Sequence, residues 1–106
     1  MDWNDKDYCL EAVKNNGWAL SYVKEQTEEI CLAAVKKNGS ALQYVLVQNN
    51  KICLEAVEQN GFALEYVKEQ TEEICLAAVR RDKYTLQYIN KEKFPDVYTY
   101  HKLLYA

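Results

Sequence analysis

Hydrophobic and polar positions along the chain recur in blocks of 22 residues, without a gap. One set of columns reads Cys9, Cys31, Cys53, Cys75, then Leu10, Leu32, Leu54, Leu76, with Ala12, Ala34, Ala56, Ala78 and Val13, Val35, Val57, Val79 behind them. A second set reads Leu20, Leu42, Leu64, Leu86, then Tyr22, Tyr44, Tyr66, Tyr88, then Val23, Val45, Val67, Ile89. Segments 8–29, 30–51, 52–73 and 74–95 are thus equivalent, with 1–7 leading in and 96–106 closing the chain. A constant period of this size marks an array whose units bury their apolar faces against their neighbours.

Within one unit the local signals predict two short helices. Thr27 is placed to cap the first free N–H groups, and Glu28 and Glu29 suit the positive end of a helix dipole. Lys36 and Lys37 follow in the last turn, and Gly39 is expected to end the helix in the left-handed conformation. This first helix should run about ten residues. After the glycine, Ala41, Leu42 and Val45 fall at helical spacing and predict a second helix of about six to eight residues. A strand reading is weaker, because period-two alternation is absent and alanine is frequent.

The first helix is apolar around most of its circumference from Ile30 to Val35, so it should be sandwiched between its own partner helix and both neighbouring units. The expected fold is all-α: one domain, 1–106, forming an α-solenoid of four 22-residue helix-pair repeats with a C-terminal capping helix. Helices this short are marginal alone and need stacking to persist. The ends depart from the pattern as an array requires. Asp82-Lys83 replaces the Asn-Gly turn, and Phe94-Pro95 starts a last element, 96–104. There Val97, Tyr100, His101 and Leu104 share a helical face that reads as a cap, while Trp3 and Tyr8 are expected to cover the first unit.

The stretch Ala34-Val35-Lys36-Lys37-Asn38-Gly39-Ser40-Ala41-Leu42-Gln43-Tyr44 resembles a family of short tandem helical repeats classed as a domain of unknown function. Its members carry Ala-Val-Lys-x-Asn-Gly-x-Ala-Leu-x-Tyr in giant viruses and in bacteria, including some that live in amoebae. The resemblance spans residues 8 to about 89, and Lys83 and Thr85 depart from it. It implies an architecture and a mobile-element or host-interaction setting, and it offers no catalytic residues.

Composition narrows the partners. The chain has 106 residues, 49% of them hydrophobic, with one proline and three glycines, as in one folded domain. A net charge of -3 and a pI near 5.2 make nucleic acid an unfavoured partner. No apolar run of about 20 residues exists, and the first residues are polar and acidic. A cytoplasmic, non-membrane protein is the expectation. Residues 1–79 carry thirteen acids and seven bases, whereas residues 80–106 carry three acids and six bases, so the array has an electrical direction.

Four cysteines raise the question of zinc or a disulfide, but no Cys-x-x-Cys pair exists to bring two ligands together. Stacked repeats would hold equivalent residues about 9 to 10 Å apart, beyond the roughly 7 Å limit of a disulfide's Cα atoms. Reduced small hydrophobes are the expectation. The Tyr22, Tyr44, Tyr66, Tyr88 column reads as interhelical core with hydroxyls at the edge, or as a ladder for bases or sugars. The Asn16, Asn38, Asn60, Asp82 column reads as helix C-caps. His101 has no partner at a catalytic spacing, and no glycine-rich phosphate loop occurs. No enzymatic activity, metal or cofactor is therefore expected.

Function should then lie in columns that vary on the constant framework. The residue after the glycine is Trp18, Ser40, Phe62 and Tyr84. Three large aromatics there suit a protein-binding surface, or fill gaps between successive second helices. Glu25, Glu28, Glu29, Glu65, Glu69, Glu72 and Glu73 suit docking on a basic surface. The reading is a non-catalytic protein-binding module using Trp18, Phe62, Tyr84 and these acids. In its concrete form it is a small acidic inhibitor from a phage or mobile element, blocking a nucleic-acid-handling enzyme such as a host defence nuclease. The alternatives are a self-assembling array that oligomerises through its ends, and a nucleic-acid binder using Arg80, Arg81, Lys83, Lys91 and Lys93.

Overall fold

The computed structural model describes residues 1–105, with side chains described as far as Lys102. Four α-helices of ten residues follow the 22-residue period: α1 (Lys6–Asn15), α2 (Glu28–Lys37), α3 (Asn50–Gln59) and α4 (Glu72–Arg81). Each is followed, one residue later, by a six-residue 3₁₀ helix: η1 (Gly17–Tyr22), η2 (Gly39–Tyr44), η3 (Gly61–Tyr66) and η4 (Lys83–Tyr88). A fifth α-helix, α5 (Pro95–Tyr105), closes the chain. The protein is an all-α solenoid of helix pairs, elongated to 49 × 21 × 16 Å.

The α-helices start where their caps are. Thr27 and Thr71 accept a hydrogen bond from the N–H three residues on at 3.2 Å, and Asn49 does the same at 2.8 Å. They end on Asn16, Asn38, Asn60 and Asp82, whose extended backbones still donate N–H to the alanine carbonyl four residues back. Those caps then begin the 3₁₀ helices: the side chains of Asn16, Asn60 and Asp82 accept from the N–H two residues on.

Two expectations are corrected here. The second helix is 3₁₀ rather than α: Gly39, Leu42 and Val45 in the second unit, and Gly61, Leu64 and Val67 in the third, are buried at three-residue spacing, with Ala41 and Ala63 buried beside them. Three residues per turn puts such positions on one line. The glycines are not left-handed, since none has a positive φ. They are required by proximity. A Cβ on Gly17 would lie 2.5 Å from the Ala34 carbonyl oxygen, and one on Gly39 2.5 Å from that of Ala56.

Helices α1 to α4 form one layer, the 3₁₀ helices a second, and α2 touches α1, α3, η1 and η2 at once. Ile30, Ala34, Val35 and their equivalents in α3 and α4 meet Leu20, Leu42 and Leu64 between the layers, essentially without solvent exposure. The layer of α-helices is parallel. Gly17 N–H donates to Asn38 Oδ1 across their C-terminal ends, and Asn49 Nδ2 donates to Glu28 Oε1 across their N-terminal ends.

Both ends are covered. Trp3 stacks on Tyr22 at 5.3 Å and meets Tyr8 edge-on at 5.1 Å. At the other end α5 packs on α4 and η4, burying Val97 and half-burying Tyr98 and His101. Tyr98 rather than the expected Tyr100 shares that face, since Tyr100 is exposed; the Leu104 side chain and Ala106 lie outside the described residues. His101 Nε2–H donates to the Lys83 carbonyl at 2.6 Å. No helix among the described residues is long and apolar enough to cross a membrane.

Candidate functional site

Helix polarity organises the charge. Acidic side chains occupy first turns, Asp7, Glu28, Glu29, Glu72 and Glu73, and basic ones last turns, Lys14, Lys36, Lys37, Arg80 and Arg81. Each choice is stabilising for its own helix. Because the helices lie parallel, the choices add into an acidic long edge and a basic long edge, separated by ten residues of helix, about 15 Å. The gradient that the sequence suggests along the array is therefore joined by one across it.

The third unit interrupts the acidic edge with Asn49-Asn50-Lys51 where its neighbours have Thr-Glu-Glu. Asn49 Nδ2 donates to Glu28 Oε1 and Asn50 Nδ2 to Glu73 Oε1, both at 2.8 Å. Those two glutamates are held in place by amides that dilute the repulsion between like charges.

Between these acids stands a feature that composition and column reading missed. Leu46 is 62% and Val47 81% exposed. They follow η2 at positions where units one and three carry Lys24-Glu25 and Lys68-Glu69, so the framework does not require them to be apolar. Leu46 and Val47 border a pocket of about 390 Å³ shared with Glu25 and Glu28, and another of about 620 Å³ shared with Lys68, Glu69 and Lys93. The signal was available as two apolar residues at positions that are polar in every other unit, Lys24-Glu25, Lys68-Glu69 and Asn90-Lys91.

The loop carrying Leu46 is pinned. Gln26 Nε2 donates to the Tyr44 carbonyl at 2.8 Å, and its Oε1 accepts from Leu46 N–H at 2.9 Å. Gln48 and Gln70 repeat both bonds on Tyr66 and Lys68 and on Tyr88 and Asn90. Each of these glutamines also accepts from the thiol five residues on, Cys31, Cys53 or Cys75. Cys9, with no glutamine before it, donates to the Trp3 carbonyl at 3.2 Å. All four cysteines are buried and free. Burial pushes the Cys31 and Cys75 thiols up to about 11, Glu72 adding to the rise at Cys75 and Lys93 opposing it. Burial also raises Cys53, and burial followed by Asp5 and Asp2 raises Cys9. A neutral, buried thiol is a poor nucleophile, and here it serves as a hydrogen-bond donor.

The residues expected to bind a partner are divided between two edges. Glu28, Glu29, Glu72 and Glu73 start α-helices, whereas Trp18, Phe62 and Tyr84 follow the opposite ends, at the entry to η1, η3 and η4. Glu65 lies on η3 and Glu69 in the loop after it, both exposed. The aromatics also differ among themselves. Phe62 is half-buried, edge-on to Tyr88 at 6.2 Å. Trp18 is edge-on to Tyr44 at 6.3 Å but 41% exposed. Tyr84 is 65% exposed, with Lys83 Nζ 5.4 Å from its ring centre. Ser40 replaces the ring with a hydroxyl that accepts from Asn60 Nδ2.

A family model described as "Domain of unknown function (DUF4116)" matches residues 27–71 and, one repeat further on, residues 49–92. No curated protein and no solved structure matches the chain.

Proposed function

Since the chain belongs to the DUF4116 family, whose description states no activity, we propose from its surface that it is a non-catalytic protein-binding array. The carrying observation is the exposed pair Leu46-Val47 in the middle of the acidic edge. Two adjacent apolar side chains held in water on a pinned loop gain free energy when a partner covers them. Flanking acids that steer a basic partner, around a small apolar centre that desolvates on contact, form the usual anatomy of a protein interface.

In its concrete form the reading is an inhibitor carried by a phage or mobile element. It seats this edge in the nucleic-acid groove of a larger basic enzyme, such as a host defence nuclease. Small size, net negative charge and the acids at the starts of α2 and α4 support it. The covering of both ends by Trp3 and α5 favours a single array over end-to-end assembly.

The test exploits the repeat. Replacing Leu46-Val47 by the Lys-Glu of the neighbouring units, Leu46→Lys with Val47→Glu, keeps a sequence the framework already accepts. A discrete protein captured from host lysate by wild type and lost by this variant, at equal thermal stability, supports the reading. Equal capture by both overturns the assignment to this edge.

A further inference from the structure

The amino-terminal end of the array holds a second feature, independent of the acidic edge. Trp3, Tyr8, Trp18, Tyr22 and Tyr44 wall an open pocket of about 650 Å³. Three of its ring contacts are set by the fold: Trp3 stacked on Tyr22 with 25° between planes, and Trp3 on Tyr8 and Trp18 on Tyr44 nearly perpendicular. The wall is therefore preorganised, presenting both faces and edges. Tyr8, Trp18, Tyr22 and Tyr44 nonetheless remain exposed, so ring surface is open to a ligand.

Charge indicates what such a pocket accepts. At the carboxyl-terminal end, ring faces are occupied from within the chain: Lys83 lies over Tyr84, Lys93 over Phe94, and Lys91 and Lys102 over Tyr98, at 5.2 to 5.8 Å. The amino-terminal pocket has no lysine or arginine in its lining, and none of these lysine–ring pairs falls on its five rings. Residues 1–25 carry five acids against three bases. A phosphate-bearing ligand would enter against that balance, whereas a cation would be drawn in by ring faces and field alike.

We propose that this pocket receives a cationic side chain, an arginine guanidinium, presented by a partner polypeptide. The planar guanidinium stacks on aromatic faces and loses less hydration than an ammonium when it does so. Asn16 and Ser21 at the border of the pocket offer oxygen acceptors for its N–H groups.

The two tryptophans of the chain, Trp3 and Trp18, both belong to the wall, so intrinsic fluorescence reads this site directly. The protein is titrated at constant ionic strength with a blocked Gly-Arg-Gly peptide and, separately, with its citrulline counterpart, which has the same shape without the charge. A saturable change with the arginine peptide, at least about fivefold weaker with citrulline, is the expected result. Tyr44→Leu keeps both reporters and should weaken the arginine response by about fivefold or more, with circular dichroism and melting temperature unchanged. Equal responses to the two peptides, or none to either at millimolar concentration, overturn the proposal. So does a saturable response to glucose or to uridine monophosphate in place of arginine, which would make the pocket a sugar or base site.

Discussion

The main-chain N–H of Gly17 donates to the side-chain oxygen of Asn38 at 2.9 Å, joining the turn after α1 to the cap of α2. That bond needs the two turns in contact, which is why a hydrogen stands where other residues have a side chain. Lys83 occupies the same column in the last unit, where no fifth repeat approaches.

Gly39→Ala tests this directly. The new methyl would sit 2.5 Å from the Ala56 carbonyl oxygen and 2.9 Å from Asn60 Cβ, against main chain that yields only by separating two repeats. A loss of about 1–3 kcal/mol is expected, exceeding the few tenths gained from a stiffer unfolded chain. Lys83→Ala should change stability by under about 0.5 kcal/mol. Urea titration of both variants separates the outcomes, and a neutral Gly39→Ala would contradict the close-approach explanation.

Gln48 spans two loops, donating to Tyr66 O at 2.7 Å and accepting from Lys68 N–H at 2.9 Å and from the Cys53 thiol. Gln48→Leu preserves volume and abolishes all three bonds. A destabilisation of about 1–3 kcal/mol is predicted, with hydrogen exchange accelerated at the main-chain N–H of Lys68. Unchanged exchange there would mean that the loop is held by other contacts.

How much of this was legible beforehand follows from which residues act locally. The α-helices could be read because threonine caps, first-turn acids, last-turn bases and the apolar run from Ile30 all act within one segment. The second helices are legible as helices, but not as 3₁₀, because Ala41, Leu42 and Val45 satisfy α-helical spacing while Gly39, Leu42 and Val45 are three apart. Gly39 itself was explained by a local conformation when its cause is a residue 17 positions away, Ala56. The glutamine clamp reaches 18 and 20 residues along the chain, and only a structure pairs such positions. Leu46 and Val47 lie outside the columns that recur, and their meaning lies in being apolar where the other units are polar.

The thiols give the protein an alkaline limit. Cys31 and Cys75 rise from an ordinary 9.0 to about 11 in the folded state, so the unfolded chain loses its thiol protons first. Their contribution to stability is complete below about pH 9 and disappears as pH climbs through about 11. Unfolding free energy should therefore fall from about pH 9 upward, and the fall should be shallower in a Cys31→Ala/Cys75→Ala variant. Parallel pH profiles would show that burial does not hold these thiols neutral.

Trp3 decides whether the array ends at its first unit. Its ring stacks on Tyr22, as Trp18 meets Tyr44 one unit further on, so it stands in for the aromatic that a preceding repeat would supply. Its carbonyl also accepts from Cys9, replacing the glutamine of later units. Trp3→Ser removes the ring and leaves the acceptor. In a nearest-neighbour array the loss of a terminal interface frays one end before it unfolds the whole. The variant should lose about 1–3 kcal/mol, with hydrogen-exchange protection falling in α1 and η1 and retained in α3 and α4. Uncovering Tyr22 and Tyr8 should also create a surface on which two chains can meet. Sedimentation should then show the variant associating with concentration while the wild-type chain stays monomeric. Wild-type association over the same range would instead mean that Trp3 is no barrier, and that the array extends itself by stacking.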